Sequence, residues 1–329
     1  MDALQQIRSA IETEMSDFIQ TWNQCMHSDN ALLQEVLTHV SSRSGKMMRP
    51  MLTLLSAKLC GGVCQDTLYS AVALELMHTA TLIHDDVVDE SEERRGLTSV
   101  NKTYDNKIAV LVGDFILALS IENVSKVTNN RFSSIVAATT QELASGELLQ
   151  LKSVHNQEIS EEVYFRIIHQ KTASLFAACA QAGAVSATND ENLIQRLSKF
   201  GETLGLCFQI RDDIFDYSQS TEIGKPTGND MKEGKLTLPA IFVLKSYNNA
   251  EMLRISKAVK NLSATESEIN QLIDYTLQNG GIEYAEKRMF QLADEAKDLL
   301  SVFPDSTVKS ALLSYVDYVA RRTLRSEEH

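Results

Sequence analysis

The sequence predicts an all-α protein. Apolar residues recur at three- and four-residue spacing along almost the whole chain, and no alternating run of useful length marks a strand. No solenoid repeat is present. Only 4 of 329 residues are proline and 14 glycine, too few to break up a helical bundle. A composition of 43% hydrophobic and 23% charged residues is that of a soluble globular protein. With no low-complexity linker, the chain reads as one domain over residues 1–329, of roughly ten to thirteen helices.

Each element has its own signal. Leu4, Ile7, Ile11, Met15, Phe18 and Trp22 make a first amphipathic helix, and Leu32, Leu33, Val36 and Leu37 continue helical. Residues 41–50 read as a loop, with Pro50 suited to a helix start. Lys46 and Arg49 thus stand just ahead of a helix N-terminus, a good place for a phosphate. Taken alone, that stretch is better read as two solvated loop cations. A helix over 51–60 ends at Gly61-Gly62, and residues 66–89 form the helix that organises the chain. Residues 90–104 are charged and loop-like. A strongly apolar helix over 108–127 is interrupted by Gly113-Asp114, and another runs over 131–152.

Ser160, followed by Glu161 and Glu162, opens the next helix. It carries Lys171 among Ile167, Ile168, Leu175 and Phe176. A buried lysine needs an anion, unless it snorkels to solvent. A helix over 190–218 is followed by a Gly/Pro-rich loop with Lys225, Lys232 and Lys235, suited to a mobile flap over a phosphate group. Thr265 and Glu268 form a capping box, Asn279-Gly280-Gly281 ends that helix, and two more run to about Arg322.

Two stretches carry the chemistry. The organising helix places Asp85, Asp86 and Asp89 at its C-terminal end, where three like charges oppose the helix dipole and one another. Asp212, Asp213 and Asp216 repeat the spacing on a second apolar helix. One such triad is often a solvated acidic face, but an apolar helix does not bury three carboxylates twice without partners. Hard divalent cations are the natural partners. Two facing triads would hold Mg²⁺ with a diphosphate and water completing its shell. Lys46, Arg49, Arg94, Arg95, Lys171, Lys225 and Lys235 are more cations than one diphosphate needs, so two fit better. Apolar helices around them would house hydrocarbon tails. The chemistry implied is departure of diphosphate to the metal, leaving an allylic cation protected from water.

The net charge of −13 argues against nucleic acid as a partner. Cys25, Cys60, Cys64, Cys179 and Cys207 include no C-x-x-C and read mostly as core thiols of a reducing cytosol. The N-terminus has no apolar h-region and no run of 18 apolar residues occurs, so neither signal peptide nor membrane span is expected.

Seven motifs stand in one order: G-K-M-M-R-P (45–50), H-D-D-V-V-D-E-S-E-E-R-R-G (84–96), G-D-F-I-L (113–117), G-E-L-L-Q-L (146–151), K-T-A-S-L-F (171–176), F-Q-I-R-D-D-I-F-D-Y (208–217) and the G-K…E-G-K loop (224–235). In these the chain resembles the trans-prenyltransferases, or polyprenyl diphosphate synthases, most of all long-chain members such as the octaprenyl diphosphate synthases. The resemblance implies an isoprenoid-synthase-type helical bundle around a central cavity, usually a cytoplasmic homodimer, with transient membrane association for product release. It implies Mg²⁺, with Mn²⁺ as a substitute, held by Asp85, Asp86, Asp89, Asp212 and Asp213, with Asp216 acting indirectly. It assigns Arg94, Lys171, Lys225 and Lys235 to the allylic diphosphate, farnesyl or geranylgeranyl. Lys46, Arg49, His78 and Arg95 go to isopentenyl diphosphate, and Thr172 and Gln209 to the reacting carbons. No side chain stands out as base; the released diphosphate takes the proton.

Product length is expected to depend on Ala80 and Thr81, about one turn (~5.4 Å) before Asp85. Short-chain members place a bulky aromatic at one of these positions. Both residues are small here, so the floor is open at this level, one turn and about one isoprene unit down, and the resemblance then implies a product of the long-chain class, roughly C35 to C50, of the size used for quinone side chains. Geranylgeranyl or farnesyl diphosphate is the alternative. Two remoter readings are a class I terpene cyclase and, from the E-x-x-H at Glu75 to His78, a di-iron bundle.

Overall fold

The structure is a computed structural model describing residues 3–42, 45–94, 97–155, 159–217 and 228–321. It is all-α as the sequence predicts, with one two-residue hairpin among the described residues. The chain divides into two compact units. One comprises Met1–Ala138, Ala178–Ser198 and Phe303–Ser314, the other Thr139–Ala177, Lys199–Val302 and Tyr315–His329.

The first unit begins with α1 (Ala3–Ser9), α2 (Glu12–Cys25), α3 (Ala31–Ser41), α4 (Met48–Cys60) and α5 (Gln65–Val88). The hairpin pairs β1 (Glu93–Arg94) with β2 (Leu97–Thr98), and α6 (Val100–Tyr104) and α7 (Asn106–Lys126) follow. α5 buries Ala71 to Leu74, Leu76, Met77, Ala80 and Ile83, and α7 packs extensively along it. Two details explain how close they come. Ser120 donates to the carbonyl of Ala73 at 2.7 Å, and Gly113 sits where a Cβ would lie 2.2 Å from the His84 ring. The interruption at Gly113-Asp114 is thus a packing contact, and α7 runs through it unbroken. The Asp66 carboxylate, in the first turn of α5, accepts the amides of Thr128 and Asn129 and the Thr128 hydroxyl, tying α5 to the segment after α7.

α8 (Arg131–His155) leads to α9 (Glu161–Ile168), a π-helical turn (His169–Ala173), α10 (Ser174–Ala187) and α11 (Glu191–Phe215). α12 (Asn229–Lys232), α13 (Leu238–Ser246), α14 (Ala250–Lys260), α15 (Glu266–Gln278), α16 (Gly281–Leu299) and α17 (Thr307–Arg321) complete the chain. In the second unit Tyr217, Met231, Leu244, Ile255, Leu272 and Ile273 belong to one buried cluster. Ser160 caps α9, and Thr265 with Glu268 makes the expected reciprocal box on α15.

Four expectations need correction. The first helix is two, because Ile11 leaves helical angles at φ −140° and ψ 31°. Residues 90–104 are not simply a loop but hold the hairpin and α6. The described residues contain seventeen α-helices, more than ten to thirteen, the excess being short pieces such as α1, α6 and α12 that periodicity over long windows does not register. Of the five free cysteines only Cys179 and Cys207 are buried; Cys64 is exposed. α7 is also long and apolar enough to cross a membrane by length and composition, with mean hydropathy 1.7 and 33% of its window buried. Its packing on α5, and the Asp114 carboxylate 3.5 Å from His84, are those of a helix within a globular unit.

Candidate active site

In the first unit α5 ends at Val88, so Asp85 and Asp86 occupy its last turn and Asp89 is its C-cap. Asp86 is buried at 3% exposure, whereas Asp85 and Asp89 are half-buried. The backbone past the helix is pinned here, since the carbonyl of Asp86 accepts both the amide of Ser91 and the side-chain amide of Asn101. Seven residues before Asp85, His78 is buried and meets Arg49 of α4 at 2.9 Å. A guanidinium only donates, so His78 accepts at Nε2 and carries its proton on Nδ1. A guanidinium held against the ring is also a poor neighbour for a metal cation, which counts against the di-iron reading of Glu75 and His78. Arg49 is the second residue of α4, slightly further in than the sequence suggests, and half-buried Lys46 lies just ahead of that helix. Met47 between them adopts φ 53°. A left-handed, non-glycine residue at a helix start is strained, and such strain gathers at functional segments. Ala80 is fully buried, and Thr81 bonds the carbonyl of His78.

The second unit holds a cavity of about 190 Å³. Lys171, Thr172, Gln209, Asp213 and Lys235 all line it, so five residues singled out by sequence meet there. Ile159, Ile167, Ile168, Leu236 and Ile241 supply an apolar wall. Lys171 and Thr172 lie on the π-helical turn, a distortion often found where a helix serves a site. A continuous hydrogen-bond chain runs from Thr172. Its hydroxyl donates to Gln209 Oε1 at 2.7 Å, Gln209 Nε2 donates to Asp213 Oδ1 at 2.8 Å, and Tyr164 donates to Asp213 Oδ2 at 2.6 Å. The order follows from the carboxylate, which only accepts. Gln209 must turn its amide nitrogen to Asp213, which leaves its carbonyl for Thr172 and the lone pairs of Thr172 for the cavity.

Asp216, one residue past α11, does a different job. Its oxygens accept the amides of Asn229 and Asp230, capping α12 and anchoring the end of the lysine-rich loop. Asp230 lines the cavity as a further carboxylate. Burial pushes Asp213 up to about 6, against the bonds from Tyr164 and Gln209. Burial likewise raises Asp216. Burial, then the charges of Asp213 and Asp216, hold Asp230 well above the usual carboxylate range. All-oxygen and mutually repelling, with Asp213 buried and Asp216 and Asp230 half-buried, these groups fit a hard divalent cation, which would relieve the repulsion. Among the described residues no three His, Cys, Asp or Glu side chains form a ready-made cage, and Mg²⁺ needs only one or two carboxylates.

Lys171 does have an anion. Glu147 of α8 meets its ammonium at 2.5 Å, so the snorkelling alternative falls. Tyr164, Glu147 and Asp230 were not singled out from sequence. Tyr164 had a signal, standing seven residues before Lys171 and so near the same helical face. Asp212 is half-buried on α11, and Arg94 is placed in β1 by its backbone alone. Arg95 and Lys225 lie outside the described residues.

The polyprenyl synthetase family matches residues 30–276. The octaprenyl diphosphate synthase of Haemophilus influenzae is 34% identical over 313 residues, 95% of each chain. Among solved structures, a decaprenyl diphosphate synthase from Rhodobacter capsulatus superposes with TM-score 0.91 at 33% identity, covering 99% of this chain and 100% of the other. A geranylgeranyl pyrophosphate synthase from Bacteroides thetaiotaomicron gives TM-score 0.86 at 45% identity, covering 97% and 99%. The seven motifs, the helical fold and these full-length similarities make one statement: the chain belongs to the polyprenyl synthetase family and is a prenyltransferase.

Proposed function

We propose that the enzyme condenses isopentenyl diphosphate head-to-tail with an allylic diphosphate, farnesyl or geranylgeranyl, to make a long-chain all-trans polyprenyl diphosphate. The observation that carries this is the cavity of the second unit, where cations, a buried carboxylate and an oriented threonine share an apolar wall. Lys171 and Lys235, with Arg94 and Lys225, bind the allylic diphosphate. Lys46, Arg49, His78 and Arg95 bind isopentenyl diphosphate; the neutral His78 keeps the Arg49 guanidinium aligned without repelling it.

The family is metal-dependent in general. Asp85, Asp86, Asp89, Asp212 and Asp213 would hold Mg²⁺ or Mn²⁺, which when bound stabilises the charge growing on the leaving diphosphate oxygens. Thr172 turns lone pairs towards the allylic cation, and the isoleucine wall keeps water from quenching it. The double bond of isopentenyl diphosphate then attacks the allylic carbon and leaves a tertiary cation, and the released diphosphate takes a proton from the carbon beside it, whose electron pair re-forms a double bond. No side chain of the cavity is needed as base.

The small, buried Ala80 and half-buried Thr81 support a long product, as do the full-length octaprenyl and decaprenyl relatives. A second reading, geranylgeranyl diphosphate as product, is favoured by the 45% identity to a synthase of that product. The test is incubation with labelled isopentenyl diphosphate, each allylic primer and Mg²⁺, followed by sizing the product. Arrest at geranylgeranyl length selects the second reading. A cytoplasmic homodimer completes the proposal; the exposed Val110, Leu111 and Ile121 of α7 support a self-association face.

A further inference from the structure

The ion pair between Lys171 and Glu147 is built into the backbone. Only 22% of the lysine side chain and 18% of the glutamate are exposed. Gly146, the preceding residue of α8, is the contact point with the π-helical turn. A Cβ there would lie 2.7 Å from Gln170 Cβ and 2.9 Å from Lys171 Cγ, so the missing side chain lets the two helices meet where the pair forms. Gln150, close to one turn further along α8, reaches Glu147 Oε1 with its amide nitrogen at 3.4 Å and itself lines the cavity with Lys171. Glu147 is thus bonded to two residues that line the cavity, Lys171 and Gln150, and the second is a neutral donor ready for its charge when the lysine turns away.

An incoming diphosphate finds the Lys171 ammonium already neutralised and a carboxylate of its own sign close by. Binding must break the pair or tolerate the repulsion. We propose that Glu147 is a displaceable counter-anion: it holds Lys171 when no diphosphate is present, competes with diphosphate for it, and hastens departure of inorganic diphosphate after each condensation. This rests on the reading of Lys171 as a diphosphate ligand. A chain-lengthening enzyme must expel a small polyanion from a cation-rich site at every cycle while the growing tail stays, and a carboxylate that recaptures one cation lowers the grip on the anion alone. Glu147 acts through Lys171 and is a positioning residue.

The test is calorimetric titration of inorganic diphosphate in MgCl₂ into wild type, E147Q, E147D, K171A and E147Q/K171A, with melting curves for each. E147Q should bind inorganic diphosphate about tenfold more tightly, the scale of one partly buried ion pair. E147D, which keeps the charge, should stay near wild type, and the effect of E147Q should vanish in the K171A background. In steady state E147Q should lower both KM for the allylic diphosphate and kcat, while a single turnover keeps its rate. Unchanged or weaker binding by a folded E147Q, with K171A weakening it, overturns the counter-anion and leaves the diphosphate site standing. If K171A itself leaves binding unchanged, the reading of Lys171 fails first.

Discussion

At the scale of the residue, the carboxylates of this chain have unequal work. Asp213 is gripped on both oxygens by Tyr164 and Gln209, Asp216 caps α12, and Asp85 and Asp212 are half-buried. Because each triad is a repulsive cluster when no cation is bound, removing one carboxylate should not unfold the protein. Asp85→Ala or Asp212→Ala should lower turnover about 100-fold or more with an unchanged circular dichroism spectrum. Wild-type turnover in EDTA should be negligible, and near-normal turnover there would dispose of the metal mechanism. The cations of the first unit make a separate case. Arg49→Ala leaves a buried His78 without its donor, and Lys46→Ala removes a charge just ahead of α4. Each should raise KM for isopentenyl diphosphate about tenfold, the order of one charge-assisted contact, with little change in KM for the allylic primer. Equal effects on both substrates would mean that these residues act only through general electrostatics.

At the scale of the element, α5 carries both the first Asp triad and the small residues one turn before it. Ala80 is buried, so a phenyl ring at this position must take space either from the growing tail or from packed neighbours. The two outcomes differ in measurement. If the space belongs to the tail, Ala80→Phe shortens the product towards farnesyl or geranylgeranyl length, keeps the rate of the first condensation and preserves Tm. We expect this result. If product length holds while Tm drops by several degrees, as a core overpacked by about 1–3 kcal/mol would show, the floor of the tunnel lies on another helix.

At the scale of the whole molecule, α7 is apolar yet only partly covered by its own chain, with Leu111 at 67% and Ile121 at 61% exposure. Apolar side chains this exposed, on so apolar a helix, suit a second copy of the chain better than water. Sedimentation should give a dimer for wild type and a folded monomer for Leu111→Glu with Ile121→Glu, because neither side chain supports the core of its own unit. A dimer that survives both charges would place the interface elsewhere.

Local chemistry determined a good deal by itself. The helical period, the capping box at Thr265 and Glu268, the C-terminal placement of both Asp triads and the need of Lys171 for an anion all depend on residues within one or two turns of each other, and the sequence displays such neighbours directly. What it could not display was which helices meet. Glu147 as the partner of Lys171, Tyr164 on Asp213 across 49 residues of chain and Arg49 on His78 across 29 depend on contacts that only folding brings together. The same holds for Asp216, whose spacing within a D-D-x-x-D reads as one more ligand. Only the return of the chain at Asn229 and Asp230 gives its oxygens backbone amides to cap. A carboxylate's role follows from the donor that reaches it, and that donor is chosen by tertiary packing.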